Sequence, residues 1–170
     1  MSDPQWARQF MLADTSATEE FGGQLAHQLR AGDLLVLSGA LGAGKTTLTR
    51  GIGAAFGVRG PITSPTFVLA RTHPSMVGGT PLVHVDAYRL ADARELDDLD
   101  IDFAHSLVVV EWGAGMLEGV AESWLEIDLQ RELGDAADAL DADEPRRVSV
   151  RGYGPRWQEP MRLPGVDVDL

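Results

Sequence analysis

Apolar runs that end at a glycine or an acidic residue alternate along the chain with stretches of helical spacing. Leu34-Leu35-Val36-Leu37 is a continuous apolar run that leads directly into Gly39. A strand covered on both faces of a parallel sheet has this pattern, because neither face has to meet water. Beyond it, Leu48, Ile52 and Phe56 recur four apart, which predicts a helix, and Gly57 predicts its end. Upstream, Ala17, Phe21, Leu25 and Leu29 keep the same spacing. Ser16-Ala17-Thr18-Glu19 reads as the capping box of that helix and Gly32 as its stop. Trp6 to Ala13 contains a short apolar run and predicts a first strand.

The second half continues the alternation. Thr66 to Thr72 and Leu82 to Asp86 read as strands around a turn region, Pro74 to Pro81. Residues 92–102 are acidic and predict one or two short helices. Leu107-Val108-Val109-Val110 is another buried-strand run, ending in Glu111-Trp112. Trp124 to Leu129 alternates apolar with polar and predicts a half-exposed strand, with Val148 to Tyr153 as its partner. Gly134 to Pro145 is rich in alanine and aspartate and reads as a loop. After Pro155 the proline content argues against further regular structure. The expected fold is α/β, a mainly parallel central sheet flanked by helices with an antiparallel edge. One domain is expected over residues 1–157, followed by an irregular tail over 158–170.

Composition narrows the setting. A chain of 170 residues is one domain's worth and long enough for a sizeable core. No apolar run reaches the eighteen or so residues that a membrane span needs. Met1-Ser2-Asp3-Pro4 lacks the basic-then-apolar layout of a signal peptide, and there is no cysteine for a disulfide or thiolate site. The cytosol is the expected compartment. Net charge is −12, and residues 71–170 hold nine basic against twenty-one acidic groups. A chain this acidic repels a phosphate backbone, so direct binding to nucleic acid is not expected.

The positive charge that matters is local. Gly39-Ala40-Leu41-Gly42-Ala43-Gly44-Lys45-Thr46 matches the P-loop pattern G-x-x-x-x-G-K-[ST], and Lys45 is the only lysine in the chain. In such a loop the backbone N–H groups of residues 41–46 cradle phosphate oxygens, with the dipole of the following helix behind them. Lys45 is expected to bridge the terminal phosphates and Thr46 to ligate Mg²⁺. A P-loop enzyme also needs a carboxylate at a neighbouring strand end. Asp86 and Glu111 both qualify. One is expected to hold the metal and the other to orient water; the residues alone leave the assignment open.

Other segments keep two readings. Trp112 points away from Glu111 and is a core or a functional tryptophan. Arg89 meets phosphate or pairs with nearby acids. Thr63-Ser64-Pro65-Thr66-Phe67 is a switch-like loop or a capped turn. The acids at 92, 95, 97, 98, 100 and 102 form a solvated face or a docking surface for a basic partner. Histidines 27, 73, 84 and 105 have no metal-ligand spacing. An N-K-x-D guanine reader needs a second lysine, so adenine is the expected base. An L-S-G-G-Q-like element is absent. A small-molecule kinase and a nucleotide-dependent binding module without turnover remain as alternative functions.

Taken in order, the loop from Gly39 to Gly51, Ser64-Pro65-Thr66-Phe67, His84-Val85-Asp86-Ala87-Tyr88-Arg89-Leu90, Glu95-Leu96-Asp97-Asp98-Leu99 and Val110-Glu111-Trp112 resemble the TsaE family. The ordered match covers residues 16 to about 112. The resemblance implies a small P-loop ATPase that hydrolyses ATP while bound to a TsaB–TsaD heterodimer and turns over slowly without it. That complex transfers threonylcarbamoyl to adenosine 37 of tRNA; the ATPase resets it and meets tRNA only through it. By position, Leu41, Gly42, Ala43, Gly44, Lys45, Thr46 and Thr47 hold the nucleotide, with Thr18 near its base. Thr46 and Glu111 ligate Mg²⁺, Asp86 supports the metal or the water, and Trp112 belongs to the site. An arginine near the last strand, Arg147, is implied to reach the nucleotide.

Overall fold

In the computed structural model eight strands form one mixed sheet in the order β3-β4-β5-β2-β6-β7-β1-β8. The strands are β1 (Trp6–Leu12), β2 (Leu34–Ser38), β3 (Ala70–His73), β4 (Leu82–Asp86), β5 (Leu107–Glu111), β6 (Trp124–Arg131), β7 (Arg146–Tyr153) and β8 (Val166–Asp167). The helices are α1 (Thr15–Ala26), α2 (Lys45–Phe56) and α3 (Ala93–Asp97). The structure describes residues 3–40, 42–58, 60, 62, 70–87, 90, 93–111, 117, 121–131, 145–163 and 166–167.

The four central strands, β4, β5, β2 and β6, run parallel. β3 closes one side antiparallel, and β7, β1 and β8 extend the other antiparallel. The predicted pairing of the last two long strands holds, from Trp124↔Tyr153 to Arg131↔Arg146. At its start the Trp124 and Tyr153 rings stack with centroids 4.8 Å apart.

Alternation along the strands divides the core. Leu35, Leu37, Leu82, Leu107 and Val109 pack on the face that carries α1 and α2. Leu34, Val36, Val83, Val85, Val108 and Val110 pack on the other, with Leu96 of α3. Helices α1 and α2 approach so closely that side chains are excluded between them. A Cβ at Gly51 would lie 2.0 Å from the Glu19 carbonyl oxygen, and one at Gly22 would lie 2.4 Å from that of Leu48.

Three expectations about boundaries change. The N-cap of α1 is Asp14, whose carboxylate accepts the Ala17 N–H at 2.8 Å, and not the Ser16 capping box. The first helical residue is therefore Thr15, and Ser16 already lies inside the helix. The same helix ends at Ala26. Gly32, at φ +95°, serves a later turn before β2. Regular structure also continues past Pro155, as a 3-10 turn at Pro155–Trp157 and as the edge strand β8, paired with β1. Proline forbids a helix interior but permits extended chain at a sheet edge. Met161 and Leu163 of this segment are buried, and Arg8 Nη1 donates to the Leu163 carbonyl at 2.8 Å. Of the expected strand Thr66 to Thr72, the described part begins at Ala70, and 134–144 of the expected loop lie outside the described residues.

Candidate nucleotide site

β2 lies between β5 and β6, so the segment leaving its carboxyl end emerges at the centre of the parallel strands, where ligands of open α/β sheets bind. Gly39 takes φ +139°, and a Cβ there would meet the Leu129 carbonyl oxygen at 2.4 Å. β6 thus presses on the start of the loop and only glycine fits. Gly44 caps α2 with a left-handed backbone, φ 109°. The predicted sequence of strand, glycine loop and helix is present, with Gly57 ending α2 in the left-handed conformation. Lys45, Thr46 and Thr47 form the first turn of α2, so their N–H groups lie at its positive end.

Lys45 turns its ammonium back over the loop. Nζ donates to the carbonyl of Gly39 at 2.6 Å and to that of Ala40 at 3.3 Å. Burial lowers its pKa from the ordinary 10.5, and the negative charges of Glu111 and then Asp86 oppose that shift. Those two carboxylates end β4 and β5 as direct register partners, and both are buried. They follow Leu82 and Leu107, Val109 in the alternation, so they stand on the α1–α2 face, the face of the P-loop helix. The sheet register therefore puts both expected acids and the lysine in one place. Beneath Asp86 on that face lies His84, fully buried, with Nε2 3.5 Å from Oε2 of Glu111.

The rim of the site joins distant parts of the chain. Thr18 is buried in α1, and its hydroxyl donates to the Asp14 carbonyl at 3.2 Å. Its methyl lies 3.5 Å from where a Cβ at Gly44 would stand. Arg146, the first residue of β7, donates from Nε to the Ala43 carbonyl at 3.2 Å and is buried. The arginine at the loop is therefore Arg146 and not the implied Arg147, which is exposed. The signal was in the alternation: Arg146 has the parity of Val148 and Val150, which are core residues. Thr46 and Thr47 are half-buried. Leu41, Trp112, Tyr88, Arg89 and the whole segment Thr63–Phe67 lie outside the described residues. Of the acidic run, Glu95, Asp98, Asp100 and Asp102 are exposed, and the Asp102 carboxylate meets His105 Nδ1 at 3.0 Å.

The donors suit a hard divalent cation that is shared with phosphate. Among the described residues no three His, Cys, Asp or Glu side chains converge as a metal cage. Mg²⁺ is usually held by one or two carboxylates together with phosphate oxygens and water, and buried Glu111 and Asp86, within the electrostatic reach of Lys45, fit that set.

Comparison with known proteins accords with this geometry. A family model described as threonylcarbamoyl adenosine biosynthesis protein TsaE matches residues 12–138. A tRNA threonylcarbamoyladenosine biosynthesis protein TsaE of Streptomyces coelicolor is 56% identical over 141 residues, which are 81% of this chain and 92% of that protein. The protein of the same description from Mycobacterium tuberculosis H37Rv is 51% identical over 123 residues, 67% of this chain and 73% of its own. The crystal structure of Bacillus subtilis YdiB covers 93% of this chain and 91% of its own at a TM-score of 0.67 and 24% identity, a likeness of fold. An α/β sheet with a P-loop at its centre, a family match that extends well beyond the loop, and close relatives of one description together place this chain in the TsaE family of tRNA threonylcarbamoyladenosine biosynthesis proteins.

Proposed function

We propose that the chain is a Mg²⁺-dependent ATPase that supports a TsaB–TsaD heterodimer in threonylcarbamoylation of tRNA adenosine 37. The observation that carries the ATPase reading is the placement of Lys45. Its ammonium rests on two loop carbonyls, within the field of two buried carboxylates that share a register. A phosphate oxygen offers it a charge-assisted hydrogen bond, stronger than either carbonyl provides. Nucleotide binding therefore draws Lys45 off Gly39 and Ala40 and onto the terminal phosphates, while the loop amides from Leu41 to Thr47 hold the remaining oxygens. Thr18 lines the base side.

Thr46 and Glu111 would hold Mg²⁺, which supplies charge neutralisation on the phosphates. Asp86 accepts a hydrogen bond from the attacking water and keeps it in line. Little covalent chemistry is asked of the protein; positioning and electrostatics supply the rate. Trp112, next to Glu111 in sequence, belongs to the same site in this reading.

The partner assignment rests on family membership and on charge. With a net charge of −12 the chain is a poor ligand for RNA, so tRNA is reached through the heterodimer. The cytosol is the place of that work. The test is ATP hydrolysis with the TsaB–TsaD pair present: Lys45→Ala and Glu111→Ala are expected to abolish it, and normal rates in both would overturn the reading. Co-purification of the pair with and without ATP tests the partnership.

A further inference from the structure

His84 stands out among buried polar groups. It is 0% exposed, and neither ring nitrogen has a hydrogen-bond partner. A fully buried imidazole in that condition is costly to keep. It lies one alternation below Asp86 on β4, on the face that carries the P-loop helix. Nε2 lies 3.5 Å from Oε2 of Glu111. The separation exceeds a good hydrogen bond by about half an ångström. Catalytic hydrogen bonds are often this long without ligand and tighten when the site is filled.

We infer that His84 is a positioning residue for Glu111: its Nε2–H holds Oε2 and so directs the other carboxylate oxygen toward the metal position beside Thr46. The inference rests on the proposed role of Glu111 as a metal ligand. Carboxylates that ligate metals are themselves held by hydrogen bonds, and the groups that hold them set metal affinity. Glu111 is the last residue of β5, with Asp86 of β4 on one side and Leu37 of β2 on the other. The side chains of these register partners are a carboxylate and an alkyl group, neither of which is a hydrogen-bond donor to a carboxylate. The imidazole supplies one from within the sheet, from a residue packed too tightly to turn away.

The chemistry is tested by where a replacement puts its N–H. Glutamine places its amide near the position of Nε2; asparagine reaches only that of Nδ1. Both are buried polar residues, so folding costs are matched, and His84→Leu removes the donor while keeping bulk. Affinity for a fluorescent adenine nucleotide is measured with Mg²⁺ and with chelator, alongside hydrolysis. His84→Asn and His84→Leu are expected to lose about 10–100-fold in the Mg²⁺-dependent part of affinity and in rate. Their chelator affinity should stay near that of the wild type, and His84→Gln should recover most of the loss. Equal behaviour of the glutamine and asparagine variants overturns the inference. So does an equal loss with and without Mg²⁺, which would mark a packing role. Glu111→Gln is run beside them. If it keeps Mg²⁺-dependent affinity, the metal role of Glu111 fails and takes this inference with it. If Glu111→Gln loses that affinity while every His84 variant keeps it, the inference about His84 alone fails.

Discussion

Asp86 and Glu111 sit directly opposite each other at the ends of β4 and β5, in register and both buried. Neighbouring strands are about 4.8 Å apart, so two carboxylates are held side by side where little water screens them. Such a pair is tolerable only with positive charge at hand, and Lys45 supplies it. The roles proposed for the two acids predict different kinetics. Glu111→Gln should raise the Mg²⁺ concentration needed for half-maximal hydrolysis. Asp86→Asn should lower kcat by about 100-fold or more with that requirement little changed. Steady-state rates across a Mg²⁺ titration decide it, and the opposite pattern would exchange the two assignments.

Lys45 carries its own pH signature. Burial disfavours the charged ammonium, so the neutral amine appears at lower pH than in an ordinary lysine. The sign is fixed by that cause: modification by an amine reagent should rise through a midpoint below 10.5. Because this is the only lysine, intact mass after labelling reports one side-chain site besides the terminal amine. Bound adenine nucleotide should suppress labelling, both by covering Nζ and by stabilising its charged form. A midpoint at or above the ordinary value would contradict the burial seen here.

The parity of β7 separates two adjacent arginines. Arg146 holds the Ala43 carbonyl of the loop, while Arg147 faces solvent. Arg146→Ala is expected to weaken nucleotide binding by about tenfold, or about 1.4 kcal/mol, and Arg147→Ala to leave it nearly unchanged. Titration calorimetry on the two variants checks this; equal losses would mean that general charge, not the loop contact, matters.

That pair of residues also shows what a sequence makes legible. Patterns that depend on near neighbours were readable: the run Leu34–Leu37 into Gly39, the four-residue spacing of α2, and the alternation that pairs β6 with β7. Lys45, Thr46, Asp86 and Glu111 could be named because each follows such a run. Juxtapositions that depend on register between distant strands were not. Nothing local to Arg146 says that β6 and β7 carry it back to Ala43, 103 residues away. Nor does the spacing of His84 reveal that β5 brings Glu111 beside it, since β4 and β5 meet only through a crossover. Ser16 and Asp14 are both good cap residues in sequence, and only the extended backbone of Asp14, with its carboxylate on the Ala17 N–H, makes it the cap.

The contact between α1 and α2 supports the loop from behind and predicts a sharp contrast among glycines. At Gly22 and Gly51 a methyl group would strike backbone carbonyls at 2.4 and 2.0 Å. Neither helix can yield without moving, so Gly22→Ala or Gly51→Ala should cost about 3 kcal/mol, the upper part of the usual overpacking range. Gly23 is next to one of them, yet its nearest obstacle is 4.0 Å away. Gly23→Ala should instead gain up to about 1 kcal/mol from helix propensity. Thermal denaturation of the three variants should show falls for the first two and a rise for the third.

The last segment is tied to the body by a charge and by apolar burial, and the two can be measured apart. Arg156 donates to both oxygens of Asp33, at 2.9 and 3.2 Å, and to the Gln28 carbonyl at 3.0 Å. Its guanidinium also lies 4.1 Å from the centre of the Trp157 ring. Asp33 is 4% exposed and takes the Arg30 N–H at 2.8 Å as well. Asp33→Ala should therefore cost about 2 kcal/mol, the scale of hydrogen bonds to a charged group, since Arg156 recovers some hydration at its open side. For a chain of this size that is a fall of about 4–8 °C in Tm. Removing residues 158–170 takes away buried Met161 and Leu163, together worth about 3–6 kcal/mol, and uncovers β1. The truncated protein should fall further than Asp33→Ala. If it melts at the temperature of the full chain, the C-terminal segment adds nothing to the domain, and Asp33 alone fastens the chain end.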